Sequence, residues 1–236
     1  MRLLFLSAFY PPHDLGGMEQ LCREVVLRLQ GRGHEVRVLT SNYSARPVTS
    51  DTDSVMRSLY LQADVHYYRA ADFFLRRSAQ ERANAQELRK CIVQFSPHLI
   101  VVWGMWNLSR NLPHWAEEWM PGRVAYYLAS TWPVNVDIHE EYWHLTARRP
   151  WSELMKRPTR ALALAQLRRE GYPPRLRFEH AMCVSRFIRD TLVEADKLPD
   201  SAGVLYNGID PDPFYRDLSI EAQSEEGPLR LLFFGS

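Results

Sequence analysis

The stretch that decides the fold is residues 1–29, MRLLFLSAFYPPHDLGGMEQLCREVVLRL. Its apolar run predicts a strand that ends near Tyr10, because Pro11 and Pro12 cannot donate hydrogen bonds within a sheet. Gly16–Gly17 follows and leads directly into a helical pattern. Unpaired amides and the positive end of a helix dipole converge at such a turn, so the sequence predicts an anion-binding corner there.

The alternation of strands and helices continues along the chain. We predict strands at 2–8, 35–41, 64–68, 98–104, 123–130, 178–185 and 203–207, and helices at 17–32, 72–95, 107–120, 158–170 and 186–195. Residues 42–62 show little periodicity and are predicted to form a loop. Right-handed crossovers place helices on both faces of such a sheet, so the pattern predicts an α/β fold with a doubly wound parallel, Rossmann-like sheet.

The C-terminal residues 218–236 are predicted to lie outside this domain, which we assign to residues 1–217. Residues 218–228 are polar and acidic, as is typical of a linker, and LRLLFFGS at 229–236 is typical of the first strand of another sheet. A lone strand cannot form a domain. Two explanations stay open: the chain is truncated, or this strand joins the existing fold.

Composition narrows the class of protein. The chain has 236 residues, of which 46% are hydrophobic and 24% charged, as expected for a globular protein. A net charge of +1 argues against a dedicated nucleic-acid binder. No segment has the roughly 18 uncharged apolar residues of a membrane span, and the short N-terminal apolar run is unlike a signal peptide. We therefore expect a cytoplasmic protein.

Two classes of site are not predicted. Cys22, Cys91 and Cys183 are widely spaced, which favours small buried residues in a reducing compartment over a zinc site or a disulfide framework. The histidines of HEEYWH at 139–144 are five positions apart rather than the four of a helical zinc motif, so no metal site is expected.

One segment is strongly basic. Residues 148–177 contain nine arginines and lysines against two glutamates, an excess of seven positive charges. This pattern is typical of a solvated basic helix face. It also suits a peripheral contact with anionic lipid headgroups at the inner face of a membrane, or an anionic acceptor.

Four stretches together resemble the N-terminal half of retaining glycosyltransferases of family 4, which have two facing Rossmann-like domains, the GT-B fold. They are LFLSAFYPPHDLGGMEQ (4–20), GRGHEVRVLTS (31–41), AMCVSRFIRDTL (181–192), and VLYNGIDPDPF (204–214) followed by LRLLFFGS. The resemblance implies sugar transfer from a nucleotide-diphosphate donor to an acceptor hydroxyl with retention. It also implies that 218–236 begins a donor-binding domain, without which this chain is expected to be inactive. The nucleotide sugar is a substrate, and no cofactor or metal is implied.

The resemblance assigns roles to matching positions. Gly16 and Gly17 would face the donor phosphates, with Ser185 and Arg186 on the same rim. Three residues, Asn207, Gly208 and Asp210, would lie where the chain leaves the domain. For the acceptor, candidates near this rim are His13, Glu19, Trp106 and Thr131. Each has a simpler interpretation as a turn, cap or packing residue, and these stay open.

The chain departs from the family at one position. Members often carry a histidine at the end of the strand written here as YYLASTW, where this chain has Ala129 and Ser130. Ser130, Thr131, Asp137 or His139 could replace it, or the subfamily needs no such group, so the catalytic residue is unassigned.

Proteins with other functions also have a parallel sheet of this kind. A nicotinamide-dependent oxidoreductase would need G-x-G-x-x-G after the first strand, which is missing. The alternatives that stay open are a non-catalytic carbohydrate- or lipid-binding module and a nucleotide-sugar epimerase. The sequence does not identify the donor, the acceptor or the oligomeric state.

Overall fold

The computed structural model describes residues 1–13, 15–43, 54–147 and 150–208. The strands are β1 (Arg2–Ser7), β2 (Glu35–Ser41), β3 (Val55–Leu59), β4 (Leu99–Gly104), β5 (Val124–Leu128), β6 (His180–Cys183) and β7 (Gly203–Val204). The helices are α1 (Gly17–Gly31), α2 (Ala70–Leu75), α3 (Arg77–Phe95), α4 (Asn111–Trp119), α5 (Ile138–His144), α6 (Pro150–Arg169) and α7 (Arg186–Glu194).

The seven strands form one parallel sheet in the order β3-β2-β1-β4-β5-β6-β7. The prediction of an α/β fold with a doubly wound parallel sheet is therefore confirmed. The chain adds strands outward from β1 to β3 and then returns to place β4 against the other side of β1. The carboxyl ends of all seven strands lie at one edge, and ligands of such sheets bind at this edge near the point where the strand order reverses.

The central strand β1 is buried on both faces. Leu4 and Leu6 pack in one hydrophobic cluster with residues of α3 and α4, whereas Leu3 and Phe5 pack in another with residues of α1. Successive side chains of a strand point to opposite faces, so a continuous apolar run is what a doubly covered strand requires.

The prediction for the strand at the edge of the sheet was wrong. β3 lies within the segment predicted as a loop, and no strand forms at 64–68. There, the Asp64 carboxylate accepts a hydrogen bond from the amide of His66 at 3.0 Å, which closes a turn. Among the described residues β3 pairs only with β2, and its Arg57 donates to the carbonyls of Tyr10 and Pro11. Partly exposed edge strands of this kind lack a clear apolar pattern.

Several helix boundaries also differ. The helix predicted at 72–95 is divided at Arg76 into α2 and α3. The helix predicted at 107–120 begins only at Asn111, and Asn107 has a positive φ of 51°.

The segment 131–178 contains α5 as well as α6, and α6 starts at Pro150 rather than at 158. The N-terminal half of α6 is held on α5 by side chains on both sides of Pro158. Lys156 and Arg160 donate to carbonyls of Tyr142 and Leu145. Tertiary hydrogen bonds therefore extend this helix beyond the start that the proline predicted.

The three cysteines are buried free thiols, as predicted. Burial raises the pKa of the Cys91 thiol to about 11 and also raises those of Cys22 and Cys183. Low reactivity follows, because the thiolate is the reactive form.

The chain divides into two compact units, Met1–Tyr206 and Asn207–Ser236. Within the second unit, the structure describes Asn207 and Gly208. The predicted linker and strand at 218–236 lie outside the described residues and stay predictions.

Candidate active-site cleft

The glycine corner lies at the carboxyl edge of β1. The chain leaves β1 at Ser7, and α1 begins at Gly17. Gly16 precedes the helix with an extended backbone and, as a glycine, provides no side-chain cap. The first-turn amides of a helix have no partner within the helix, so this corner presents amide donors that Gly16 does not cap, at the positive end of α1.

This corner is open. Gly16 and Gly17 are exposed, and a Cβ atom added at either would meet no atom of the described chain within 4 Å. Packing therefore does not require glycine at these two positions. Glu19 lies in the same first turn, where a carboxylate is favourable with the helix dipole.

A second helix begins at the same edge of the sheet. Ser185 caps α7, and its hydroxyl accepts a hydrogen bond from the amide of Ile188 at 3.3 Å. Arg186 is exposed at the first position of this helix. A capped helix with a free arginine beside it adds positive potential to the rim.

The end of the first unit lies beyond β7. The amide of Leu205 donates to the carbonyl of Cys183 at 2.8 Å, and the Leu205 carbonyl accepts from the Tyr127 hydroxyl at 3.3 Å. Asn207 and Gly208 are exposed residues of the second unit, and Asp210 lies outside the described residues.

A cavity of about 880 Å³ opens at the carboxyl edge of the sheet. Three segments line it, and they follow β3, β4 and β5 along the chain. Its lining residues are Gln62–Tyr68, Met105–Leu108, Arg110, Trp132, Val134–Ile138 and Glu141. Cavities of this size accommodate small-molecule ligands.

The cavity has an aromatic wall beside polar groups. Trp106 is 46% exposed, and its ring lies 5.6 Å from that of Phe9, which connects the cavity to the loop after β1. Tyr67 is also an exposed aromatic residue of the lining. The Arg110 guanidinium donates to the carbonyls of Trp132 at 2.8 Å and Asn135 at 2.5 Å, which fixes the loop after β5.

The other predicted acceptor residues lie around this edge with different contacts. The His13 amide donates to the Tyr10 carbonyl at 3.1 Å, and the enclosed Nε2 atom of His13 has no hydrogen-bond partner in the described chain. The Thr131 hydroxyl bonds the side-chain oxygen of Asn135 at 3.2 Å. Ser130 is exposed after β5. Of the acceptor candidates, Trp106 lines the cavity directly.

Asp137, which lines the cavity, and His139 belong to a buried polar and aromatic cluster. The Asp137 carboxylate caps α5 by accepting from the His139 amide at 3.0 Å, and it also accepts from the Tyr172 hydroxyl at 2.7 Å. His139 Nδ1 bonds the Tyr68 hydroxyl at 2.8 Å, and its ring packs against Phe73. Both side chains are thus engaged in contacts that hold α5, and their catalytic role stays a prediction.

Burial controls the charge of both groups. It raises the pKa of Asp137, and it lowers the pKa of His139 to about 3, with the nearby Arg77 acting in the same direction on His139. A histidine with this pKa is neutral at physiological pH.

We expect His139 to make stability depend on pH. An unfolded chain takes up a proton at this histidine below about pH 6.5, whereas the folded chain does so only near pH 3. Stability is therefore lost as the pH falls, by about 2 kcal/mol between pH 7 and pH 5. Asp137 acts oppositely, because a raised folded-state pKa favours the folded state on acidification.

Urea unfolding of wild type and His139→Gln at several pH values measures the contribution of His139 to the pH dependence of stability. The difference between their free energies of unfolding should shrink by about 2 kcal/mol from pH 7 to pH 5. His144→Gln, at an exposed position of the same helix, is the matched control. A constant difference for His139→Gln would contradict a buried neutral histidine.

Sequence reasoning missed much of the cavity lining. Arg110 and the loop 62–68 were not predicted as site residues. The position of Arg110 just after the predicted strand 98–104 was an available signal, since such loops line the ligand edge. The loop 62–68 was hidden by the wrong strand prediction at 64–68.

The described residues lack two kinds of feature, a cluster of metal ligands and a membrane-spanning helix. Among them, no group of three or more His, Cys, Asp or Glu side chains could hold a metal ion. No helix in the described ranges is both long enough and apolar enough to cross a bilayer.

Comparison with known proteins then decides the family. The model of Glycosyltransferase Family 4 matches residues 15–213, which is most of the chain. The chain belongs to glycosyltransferase family 4. Membership accounts for the matches at the glycine corner, at the start of α7 and at YNGID.

Similarity to individual proteins is more distant. A similar solved structure is sucrose-phosphate synthase from Thermosynechococcus elongatus, at 15% identity and a TM-score of 0.41, over 85% of this chain and 53% of that chain. This chain thus spans about half the length of that protein. No curated protein matches the sequence.

Proposed function

We propose that this family 4 chain is the acceptor-side half of a GT-B enzyme that transfers a sugar from a nucleotide-diphosphate donor to an acceptor hydroxyl with retention. The observation that carries the proposal is the open first turn of α1 at Gly16–Gly17, where Gly16 supplies no side-chain cap. This turn shares the carboxyl edge of the sheet with the 880 Å³ cavity. Such an arrangement supplies an anion site beside a pocket for a second substrate.

The chemistry needs a stabilised leaving group. When the glycosidic bond to the donor breaks, negative charge develops on the departing diphosphate. Amides at a helix N-terminus stabilise such charge, because they are already oriented before the reaction begins. We assign this role to the first turn of α1, with Arg186 as a further positive group on the rim.

We assign the acceptor to the cavity. The exposed faces of Trp106 and Tyr67 suit the apolar face of a sugar ring. Asp64, His66 and Asn107, which also line the cavity, offer hydrogen bonds to hydroxyl groups. We also assign His13, in the loop before α1, and Glu19, in the first turn of α1, to contacts with the acceptor.

We further propose that residues 218–236 begin the domain that binds the donor nucleotide, and that Asn207 and Gly208 act as a hinge before it. The chain would then be inactive alone. We place the protein in the cytoplasm, where its buried cysteines would stay reduced.

One observation favours a second candidate function. The position of the family histidine is occupied by Ala129 and Ser130, and neither can act as an imidazole does. A non-catalytic carbohydrate- or lipid-binding module of the same fold would not need that group. An epimerase would differ from both by releasing an altered sugar without an acceptor.

The test is a donor panel of UDP-, GDP- and ADP-sugars with the polypeptide that includes the donor-binding domain. Transfer predicts nucleoside-diphosphate release that depends on an acceptor, and NMR of the product should show the donor's anomeric configuration. Donor binding without release of nucleoside diphosphate would favour the binding module instead.

For the acceptor site, we expect Trp106→Ala to raise the KM for the acceptor about tenfold with kcat little changed, because a stacking platform binds the ground and transition states alike. Trp119→Ala is the matched control. Trp119 is another partly exposed tryptophan, stacked on Trp115 in α4 and outside the cavity lining. An equal effect of both substitutions would place the acceptor elsewhere.

A further inference from the structure

The outward face of α6 is apolar. Ala163 and Leu167 point to the protein interior and are buried. The opposite side carries large exposed side chains: Trp151 (73% exposed), Met155 (63%), Leu162 (60%) and Leu154 (57%). We call these four residues the α6 stripe.

The stripe is one continuous face of the helix. Residues 154, 155 and 162 follow residue 151 by three, four and eleven positions, which places all four on one side at 3.6 residues per turn. Pro158, Ala161 and Ala165 lie on the same side and are exposed too. An apolar face of this length is unusual where a helix meets water.

Three polar residues of α6 make contacts toward α5 and the loop after it. Lys156 donates to the carbonyls of Tyr142 at 2.5 Å and Leu145 at 2.7 Å. Glu153 accepts from the Ala147 amide at 2.8 Å and from Arg160 at 3.0 Å. The helix is thus fixed on α5 by polar contacts, and its apolar side chains are left on the outside.

The charge beside the stripe is positive. Arg157, Arg168 and Arg169 are exposed on α6. Glu153 is the one acidic residue of this helix, and it is already paired with Arg160. The outer surface of α6 therefore combines apolar side chains with basic ones and has no acidic side chain of its own.

We propose that the α6 stripe docks on a membrane surface that contains anionic phospholipids. Its apolar side chains would enter the boundary between headgroups and acyl chains, with Trp151 at the interface. The arginines beside it would contact lipid phosphates. A second copy of the chain fits less well, because facing α6 helices would bring like charges together.

Docking would bring the cavity close to the lipid surface. α6 packs on α5, and Ile138 and Glu141 of α5 line the cavity. An acceptor presented by the membrane would therefore have a short path to it. The docking itself does not depend on the proposed glycosyl transfer, since it is measured as binding.

Vesicle flotation tests the proposal with phosphatidylcholine vesicles that contain or lack phosphatidylglycerol. We expect binding to the anionic vesicles that high salt weakens, and little binding to the neutral ones. Arg157→Gln/Arg168→Gln should lower the partition coefficient by about 25-fold, because each basic residue near an anionic surface contributes about fivefold. The control is Arg82→Gln/Arg89→Gln, at two exposed arginines of α3.

The apolar contribution needs its own variant. Trp151→Ser/Met155→Ser should lower the partition coefficient by about tenfold or more. Leu27→Ser/Val93→Ser, at exposed apolar positions of α1 and α3, should leave it unchanged. Circular dichroism checks that each variant is folded. Equal binding to both kinds of vesicle, or a stripe variant that changes self-association in velocity sedimentation but not lipid binding, would overturn the proposal.

Discussion

Glu117→Ala is expected to lower the free energy of unfolding by about 4 kcal/mol, because it leaves several buried donors without an acceptor. Glu117 lies on α4 and is only 5% exposed. Its carboxylate accepts from the Tyr126 hydroxyl at 2.7 Å, from the Arg177 amide at 2.9 and 3.0 Å, and from the Phe178 amide at 3.1 Å. An alanine at this position can accept none of these bonds.

These donors come from different parts of the sheet. Tyr126 belongs to β5, and the amides of Arg177 and Phe178 lead into β6. Phe178 also has a φ of 49°, a conformation that non-glycine residues rarely adopt. Glu117 therefore stabilises both the junction of α4, β5 and β6 and an unfavourable backbone at the entry to β6.

The next residue along the chain is the matched control. Glu118 is exposed, and its carboxylate pairs only with the side chain of Arg177 in the described chain. Such surface pairs contribute little, so Glu118→Ala should cost less than about 1 kcal/mol. Glu117→Gln keeps the shape but loses an acceptor atom, and an intermediate cost of about 2 kcal/mol is expected.

Urea unfolding at constant pH measures all three variants. If Glu117→Ala and Glu118→Ala have similar costs, the carboxylate of Glu117 does not hold this junction. The prediction is independent of any activity.

Burial on both faces made the central strands predictable from sequence. β4 is a continuous apolar run and β2 is rich in β-branched residues, and their observed bounds lie within one residue of the prediction. Of the described strands, β3 pairs with β2 alone, and as an edge strand it carries no comparable pattern in its sequence. The local pattern of apolar residues indicates whether one or both faces of a strand are buried, and it identifies edge strands poorly.

The same distinction applies to the candidate site. The glycine corner is local in sequence, because β1, the prolines after it and the start of α1 all lie within residues 2–17. The cavity depends on which strands become neighbours, since its lining comes from segments after β3, β4 and β5. The sequence indicated His139 as a candidate residue but did not predict that its side chain is buried. This burial comes from packing against Phe73 and Tyr172.

Gly17→Ala should reduce transferase kcat/KM by at least about 100-fold while leaving the protein as stable as wild type or slightly more stable. The Cβ atom of alanine would meet no atom of the described chain within 4 Å. Alanine also favours a helix over glycine by up to about 1 kcal/mol. A loss of activity must then come from a clash or altered approach at a bound ligand.

The expected size follows from the chemistry of the donor. Removing one hydrogen-bond donor to a developing oxyanion costs about 100- to 1,000-fold in rate. A methyl group on Gly17 would hold the diphosphate away from the first-turn amides and weaken these bonds together. Gly16→Ala, whose backbone is extended and open, should act in the same direction.

The other end of the same helix supplies the control. Gly31 closes α1 and is equally open to an added Cβ, but it lies at the opposite edge of the sheet. Gly31→Ala should change activity by no more than about twofold and, like Gly17→Ala, leave the protein as stable as wild type or slightly more stable. Steady-state kinetics with the donor-binding domain present measures the effect of each substitution on activity, and thermal unfolding measures its effect on stability. If Gly17→Ala lowers activity without lowering stability, and Gly31→Ala does not, a ligand approaches the backbone at Gly17. Unchanged activity of Gly17→Ala would mean that the corner is a simple turn.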